Sequence, residues 1–232
     1  MATDADRSDR GVWRWALLFA GAGFLALAVQ VYLLREYLVV LQADETSVGL
    51  GLASWLAGIA LGAPLVRLLS GGHRDDAPDA DVFRRLHQGF NEVGAHAEAC
   101  GVTLVIENHG GPTATGQRVA RLMEGIESPA VGLNFDPANF LNQGTDPLMA
   151  LRRTRQWVRY SHWKDVHWAD GAPAFCAFGE GEIRWAPIIA ELMGSGYHGY
   201  FGVEYEEPSD VRDGTVRSLA ALRRHLAEAG VA

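Results

Sequence analysis

Four short apolar runs, each set apart from the next by a segment of helical periodicity, leave this chain few folds to choose from. The runs cover 102–106, 131–135, 157–163 and 199–203. The first, Val102 to Ile106, is continuous rather than alternating, as expected of a strand buried on both faces. Between and around the runs lie predicted helices at 81–100, 115–127, 146–156, 185–194 and 212–229. In the first, Val82, Phe83, Leu86, Phe90, Val93 and Ala97 recur at helical spacing. Asp146 and Pro147 supply a cap and a first-turn residue to the third, and Gly194 and Gly196 stop the fourth. Strands separated by helices of this length form crossover units in a parallel sheet, so the C-terminal part is α/β with four β/α units.

Each run ends on a residue able to bind a metal: Glu107, Asp136, His162 and Glu204. A polar residue often stops a strand because the chain is reaching solvent. Four in register, all carboxylate or imidazole, point instead to one site, because parallel strands bring their carboxyl ends to one face. Three carboxylates and one imidazole suit Mn²⁺, with Mg²⁺, Co²⁺ and Zn²⁺ as alternatives. Lysine adds a second signal. Among 20 cationic residues only Lys164 is a lysine, and it lies just past the third run within His162-Trp163-Lys164-Asp165. A compact ammonium that can lose its proton is not replaceable by a guanidinium.

The chain upstream is of another kind. Residues 15–34 are apolar except for Gln30, the length needed to cross a bilayer, and 48–66 carry no charge at all. They predict a two-helix transmembrane hairpin over 15–69, after a tail at 1–14 and before a polar linker at 70–80. A cleaved signal peptide is the alternative for the first run, although its apolar core exceeds the usual length. Arg7, Arg10 and Arg14 on one side and Arg67, Arg74, Arg84 and Arg85 on the other place both ends in the cytoplasm, with the soluble domain on the inner membrane face. Composition agrees with two unlike parts, since mean hydropathy is −0.00 although 21% of residues are charged. Residues 1–72 hold five arginines against six acidic residues, leaving −7 of the total −8 to the rest. That acidic portion excludes a nucleic-acid partner, which would require clustered Lys and Arg. Two cysteines, Cys100 and Cys176, exclude a disulfide scaffold.

The segments at 106–111 (IENHGG), 132–140 (GLNFDPANF), 162–165 (HWKD), 179–183 (GEGEI) and 199–206 (GYFGVEYE) together resemble the sugar phosphate isomerase/epimerase family, the xylose isomerase-like barrels. The resemblance covers about 81–232 and matches the second half of a (β/α)8 TIM barrel. It implies that Glu107, Asp136, His162 and Glu204 are the metal ligands and that Glu107 and Glu204 also move protons. It further implies that Asn108, His109, Asn139, Lys164 and Asp165 contact a small sugar or polyol substrate or support the ligands. Glu206 is the rival to Glu204, since alternation puts both on one face. Glu180 reads as a cap for backbone amides, and His167 and His198 as surface or packing residues. The extra ligands of the superfamily's DNA-repair nucleases are missing, with Asn139, Phe175, Cys176 and Ala177 in their places.

The resemblance implies a metal-dependent isomerase or epimerase, with a lyase or dehydratase of the same superfamily as alternative. An inactive membrane-tethered fragment is the third reading. About 160 residues fall short of the roughly 250 of a full barrel, so the expected half barrel is completed by a second copy or another chain. Residues 15–69 also resemble the membrane segment ahead of some spermidine synthase-like proteins, which implies an anchor and no chemistry.

Overall fold

The structure, a computed structural model, describes residues 65–71 and 79–231. All of them lie in the second of two compact units, Trp55–Ala232. The expected hairpin at 15–69 therefore falls outside the described residues except for its last five. Among the described residues no helix is long and apolar enough to cross a membrane.

Those last five residues are not membrane helix. Leu65–Leu69 is a strand, β1, paired in parallel with β2 (Thr103–Glu107), Arg67 opposite Val105 and Leu69 opposite Glu107. The difference has a physical cause: a strand of a parallel sheet buries apolar side chains on both faces and merges, by hydropathy, with an apolar run before it. The sheet continues with β3 (Val131–Phe135), β4 (Val158–Trp163) and, after an antiparallel hairpin of β5 (Asp165–Ala169) and β6 (Ala172–Cys176), β7 (Tyr200–Val203). Its order is β1-β2-β3-β4-β7, parallel throughout. Five described strands thus stand where four are expected from sequence, the added one coming from the supposed second span.

The helices are α1 (Asp79–Cys100), α2 (Gly116–Glu124), α3 (Pro137–Asn142), α4 (Pro147–Thr154), α5 (Trp185–Gly194) and α6 (Val211–Glu228). The Asp146 carboxylate caps α4 by accepting from the Leu148 and Met149 amides, as its sequence position predicts. The short α3 is an addition to the predicted helices. It opens on Asp136 and Pro137, a cap and first-turn pair of the same kind. The β5–β6 hairpin is a second addition. Its turn is Asp170-Gly171, both at positive φ, the two-residue turn whose twist suits antiparallel strands.

The core lies between the sheet and its helices, with Phe83, Phe90, Leu122, Leu133, Phe135, Leu151 and Ile189 all buried. Trp163 centres one end of it, its ring 5.8 Å from Phe178, 5.0 Å from Trp185 and 5.3 Å from Phe201. Truncating such a residue to alanine typically costs about 3–5 kcal/mol.

Candidate metal centre

Strand alternation decides which side chains reach the site. In β3, Leu133 and Phe135 belong to the core while Asn134 and Asp136 meet the polar cluster, and in β4 Trp163 is core while His162 and Lys164 are not. Close backbone approach also matters. A Cβ at Gly202 of β7 would overlap the Tyr160 hydroxyl, and the Tyr160 ring stands edge-on to His162, centroids 5.5 Å apart.

The four strand-end residues come together as expected. One ligand atom from each of Glu107, Asp136, His162 and Glu204 lies within 4.8 Å of the others. His162 Nδ1 is 3.2 Å from Glu107 Oε1, 3.3 Å from Glu204 Oε2 and 3.9 Å from Asp136 Oδ2. Glu107 and Asp136 are fully buried, and Oδ2 of Asp136 makes no aligned hydrogen bond, its nearest cation being Lys164 Nζ at 3.2 Å. A buried carboxylate oxygen without an aligned hydrogen bond, within a group of oxygen and nitrogen ligands, fits a divalent cation. The donor set does too, since hard oxygens with one imidazole are the ligands of Mg²⁺, Mn²⁺ and Zn²⁺.

Lys164 is buried in the same cluster. Its Nζ donates to Glu204 Oε2 at 2.8 Å and Glu206 Oε1 at 2.6 Å, lies 3.2 Å from Asp136 Oδ2, and stands 5.2 Å from the centroid of the Phe175 ring. Arg67 enters from β1. Its Nη1 donates to Glu107 Oε2 at 2.7 Å and Glu204 Oε1 at 3.2 Å. Sequence reasoning misses Arg67 because it sits within the supposed membrane segment. A charge two residues before the end of an apolar run is the available signal. Glu206, the rival to Glu204, faces the same site through Lys164.

These contacts set the protonation of the cluster. Burial alone would raise the Glu107 and Glu204 carboxyls, yet hydrogen bonds and charge from His162, with Arg67 near Glu107 and Lys164 near Glu204, hold both below the ordinary range. Burial disfavours the imidazolium of His162, but hydrogen bonds to the two glutamates outweigh it and push the ring up to about 9. Burial dominates at Asp136 and pushes it up to about 7 despite the Lys164 charge. Lys164 is raised by Asp136 and Glu204 against its own burial.

The expected substrate contacts divide. Asn139 Nδ2 donates to Glu107 Oε1 at 3.2 Å, supporting a ligand. Asn108 is buried and bonds both backbone groups of Asp136, donating to its carbonyl at 2.7 Å and accepting from its amide at 2.8 Å, which places the Asp136 ligand. His109 is exposed, and its amide donates to Thr113 Oγ1. Asp165 is not among the clustered ligands. It is fully buried and accepts from the Val166, Gly179 and Ile183 amides and, at 2.7 Å, from Trp185 Nε1. Asp165 therefore does the amide capping expected of Glu180, whose carboxylate instead pairs with Arg217 at the surface. His198 is exposed and His167 half-buried, neither in the cluster.

Comparison with known proteins agrees with this geometry. The family described as xylose isomerase-like TIM barrel matches residues 57–225, a range that begins within the second apolar run. The inosose dehydratase of Lacticaseibacillus casei is 27% identical over 176 residues, covering 64% of this chain and 59% of that protein. The chain thus spans about three-fifths of the length of that curated relative. A xylose isomerase domain protein from Planctomyces limnophilus superposes with a TM-score of 0.58 at 26% identity, covering 78% of this chain and 63% of the other. A xylose isomerase-like TIM barrel protein from Mycobacterium smegmatis in complex with magnesium has the same fold, with a TM-score of 0.60 at 18% identity, covering 76% and 65%. With nearly three-quarters of its residues inside the family match and the strand-end cluster in place, the chain belongs to the xylose isomerase-like TIM barrel family.

Proposed function

We propose that Glu107, Asp136, His162 and Glu204 bind a divalent metal ion, Mn²⁺ or Mg²⁺ before Zn²⁺, and that the site isomerises or epimerises a small sugar or polyol carrying a carbonyl. The observation that carries this reading is the convergence of four ligand atoms, three of them from buried residues, within 4.8 Å of one another. When bound, such an ion holds neighbouring oxygens and makes the C–H beside a carbonyl more acidic. The protein supplies the bases. Glu107 and Glu204 are both held ionised, and Glu204, with 24% of its side chain exposed against none for Glu107, is the one open to a substrate. Carboxylates held below their ordinary range are weak bases, so they remove a proton only from a carbon acid already strengthened. Lys164 sets its ammonium against Asp136, Glu204 and Glu206 and offsets part of their charge.

The dehydratase reading has its own support in the likeness to inosose dehydratase. Elimination removes a proton and a hydroxide as water and needs a proton donor for the departing oxygen; the Lys164 ammonium, beside Glu204, is the candidate donor within the cluster. Full-length protein loaded with Mn²⁺ and given ketoses, ketose phosphates and inososes in D₂O separates these outcomes by NMR. Deuterium beside the carbonyl with an isomer or epimer as product supports the first reading. An unsaturated or deoxy product supports the second. No exchange with any of them in metal-loaded protein overturns both.

A further inference from the structure

We infer that Arg67 is a positioning residue that makes Glu107 and Glu204 single-oxygen ligands, an inference that rests on the metal site proposed above. The two glutamates are treated alike. Glu107 Oε1 faces His162 and accepts from Asn139, while its Oε2 accepts from Arg67 at 2.7 Å. Glu204 Oε2 faces His162 and accepts from Lys164, while its Oε1 accepts from Arg67 at 3.2 Å. On both, the guanidinium takes the oxygen turned away from the imidazole. A guanidinium on the outer oxygen turns that oxygen from the cluster, whereas Glu204 Oε2, although it accepts from Lys164, keeps a second lone pair toward His162, and partners of this kind orient ligands and tune what the metal does.

The bond also spans the sheet. Arg67 lies on β1 and Glu204 follows β7, the two ends of the strand order. Register makes this possible: Arg67 pairs with Val105, two residues before Glu107 and on the same face. Strand β1 thus places a cation against two ligands that no other described strand end supplies with a guanidinium.

The competing account is that Arg67 Nη1 merely occupies the place of the metal. Co²⁺ absorption in the full chain decides, because intensity in the visible falls as coordination number rises. Wild type is expected to take up Co²⁺, and Arg67→Met to keep it with a weaker visible band as the glutamates turn to bind through both oxygens. Arg67→Lys and millimolar guanidinium added to Arg67→Met are each expected to restore part of the wild-type band. Identical spectra in the three folded chains overturn the inference, as does tighter Co²⁺ binding by Arg67→Met with an unchanged spectrum. Wild type that takes up no Co²⁺ overturns the metal site itself, so the two failures are told apart.

Discussion

The ammonium of Lys164 lies 2.8 Å from Oε2 of Glu204, with only 1% of the lysine side chain exposed. A buried cation among carboxylates has an asymmetric value: the pair adds little over an apolar replacement, but loss of one partner leaves buried charge behind. Lys164→Met is therefore expected to destabilise the metal-free protein by about 3 kcal/mol. Saturating Mn²⁺ should recover most of that loss by replacing the missing positive charge. Chemical denaturation with EDTA and with Mn²⁺ measures both, and equal loss in the two conditions would contradict the shared cluster.

Asp165 and Trp185 form a second such relationship, 2.7 Å from carboxylate to indole nitrogen. Asn in place of Asp165 turns an NH₂ toward donors that a carboxylate accepts. The expected cost is about 2–4 kcal/mol, with faster hydrogen exchange at the Gly179 and Ile183 amides. Metal stoichiometry should not change, since no Asp165 oxygen reaches the cluster. Metal loss in a folded Asp165→Asn chain would return this residue to the site.

Metal binding should tighten with pH. In the metal-free protein His162 keeps its proton up to about 9 and Asp136 up to about 7, and a cation must displace both. Affinity therefore rises from about pH 6 to about pH 9. Calorimetry in buffers of different ionisation enthalpy should show proton release that shrinks toward zero above about pH 9. The raised His162 value also stabilises the metal-free fold. That contribution is complete below its unfolded value near 6.5 and disappears as pH rises through about 9. The raised Asp136 value acts in the same direction, stability falling as pH rises from its unfolded value of 3.8 through about 7.

Strand β1 is testable by the burial of Val66, which belongs to the core at 6% exposure. Val66→Asp puts an unpaired charge there and is expected to cost about 3–5 kcal/mol, whereas the exposed Leu69→Asp should cost under about 1 kcal/mol. Equal effects at the two positions, measured by denaturant unfolding, would contradict the strand.

Much of this was legible in the order of residues. Apolar runs broken by Glu107, Asp136, His162 and Glu204 point to both the parallel sheet and the cluster at its strand ends, because solvent exposure alone does not select carboxylate or imidazole four times in register. Arg67 was not legible: hydropathy cannot tell a two-face-buried strand from the end of a membrane run, so β1 and its charge fell together into the wrong element. The amide-binding role of Asp165 is hidden for the opposite reason. The residue adjoins Lys164, and only the fold reveals that its acceptors are spent on amides of the loop beyond the hairpin. The β5–β6 hairpin had a visible signal in Asp170-Gly171, outweighed by the expectation of helix after strand.

The most direct measurement is the metal content of the purified full chain, by mass spectrometry, beside Glu107→Gln, Asp136→Asn and His162→Ala. One divalent ion per wild-type chain, lost in all three folded variants, is expected. A wild-type chain without bound metal after loading with Mn²⁺, or variants that retain it, would contradict the account.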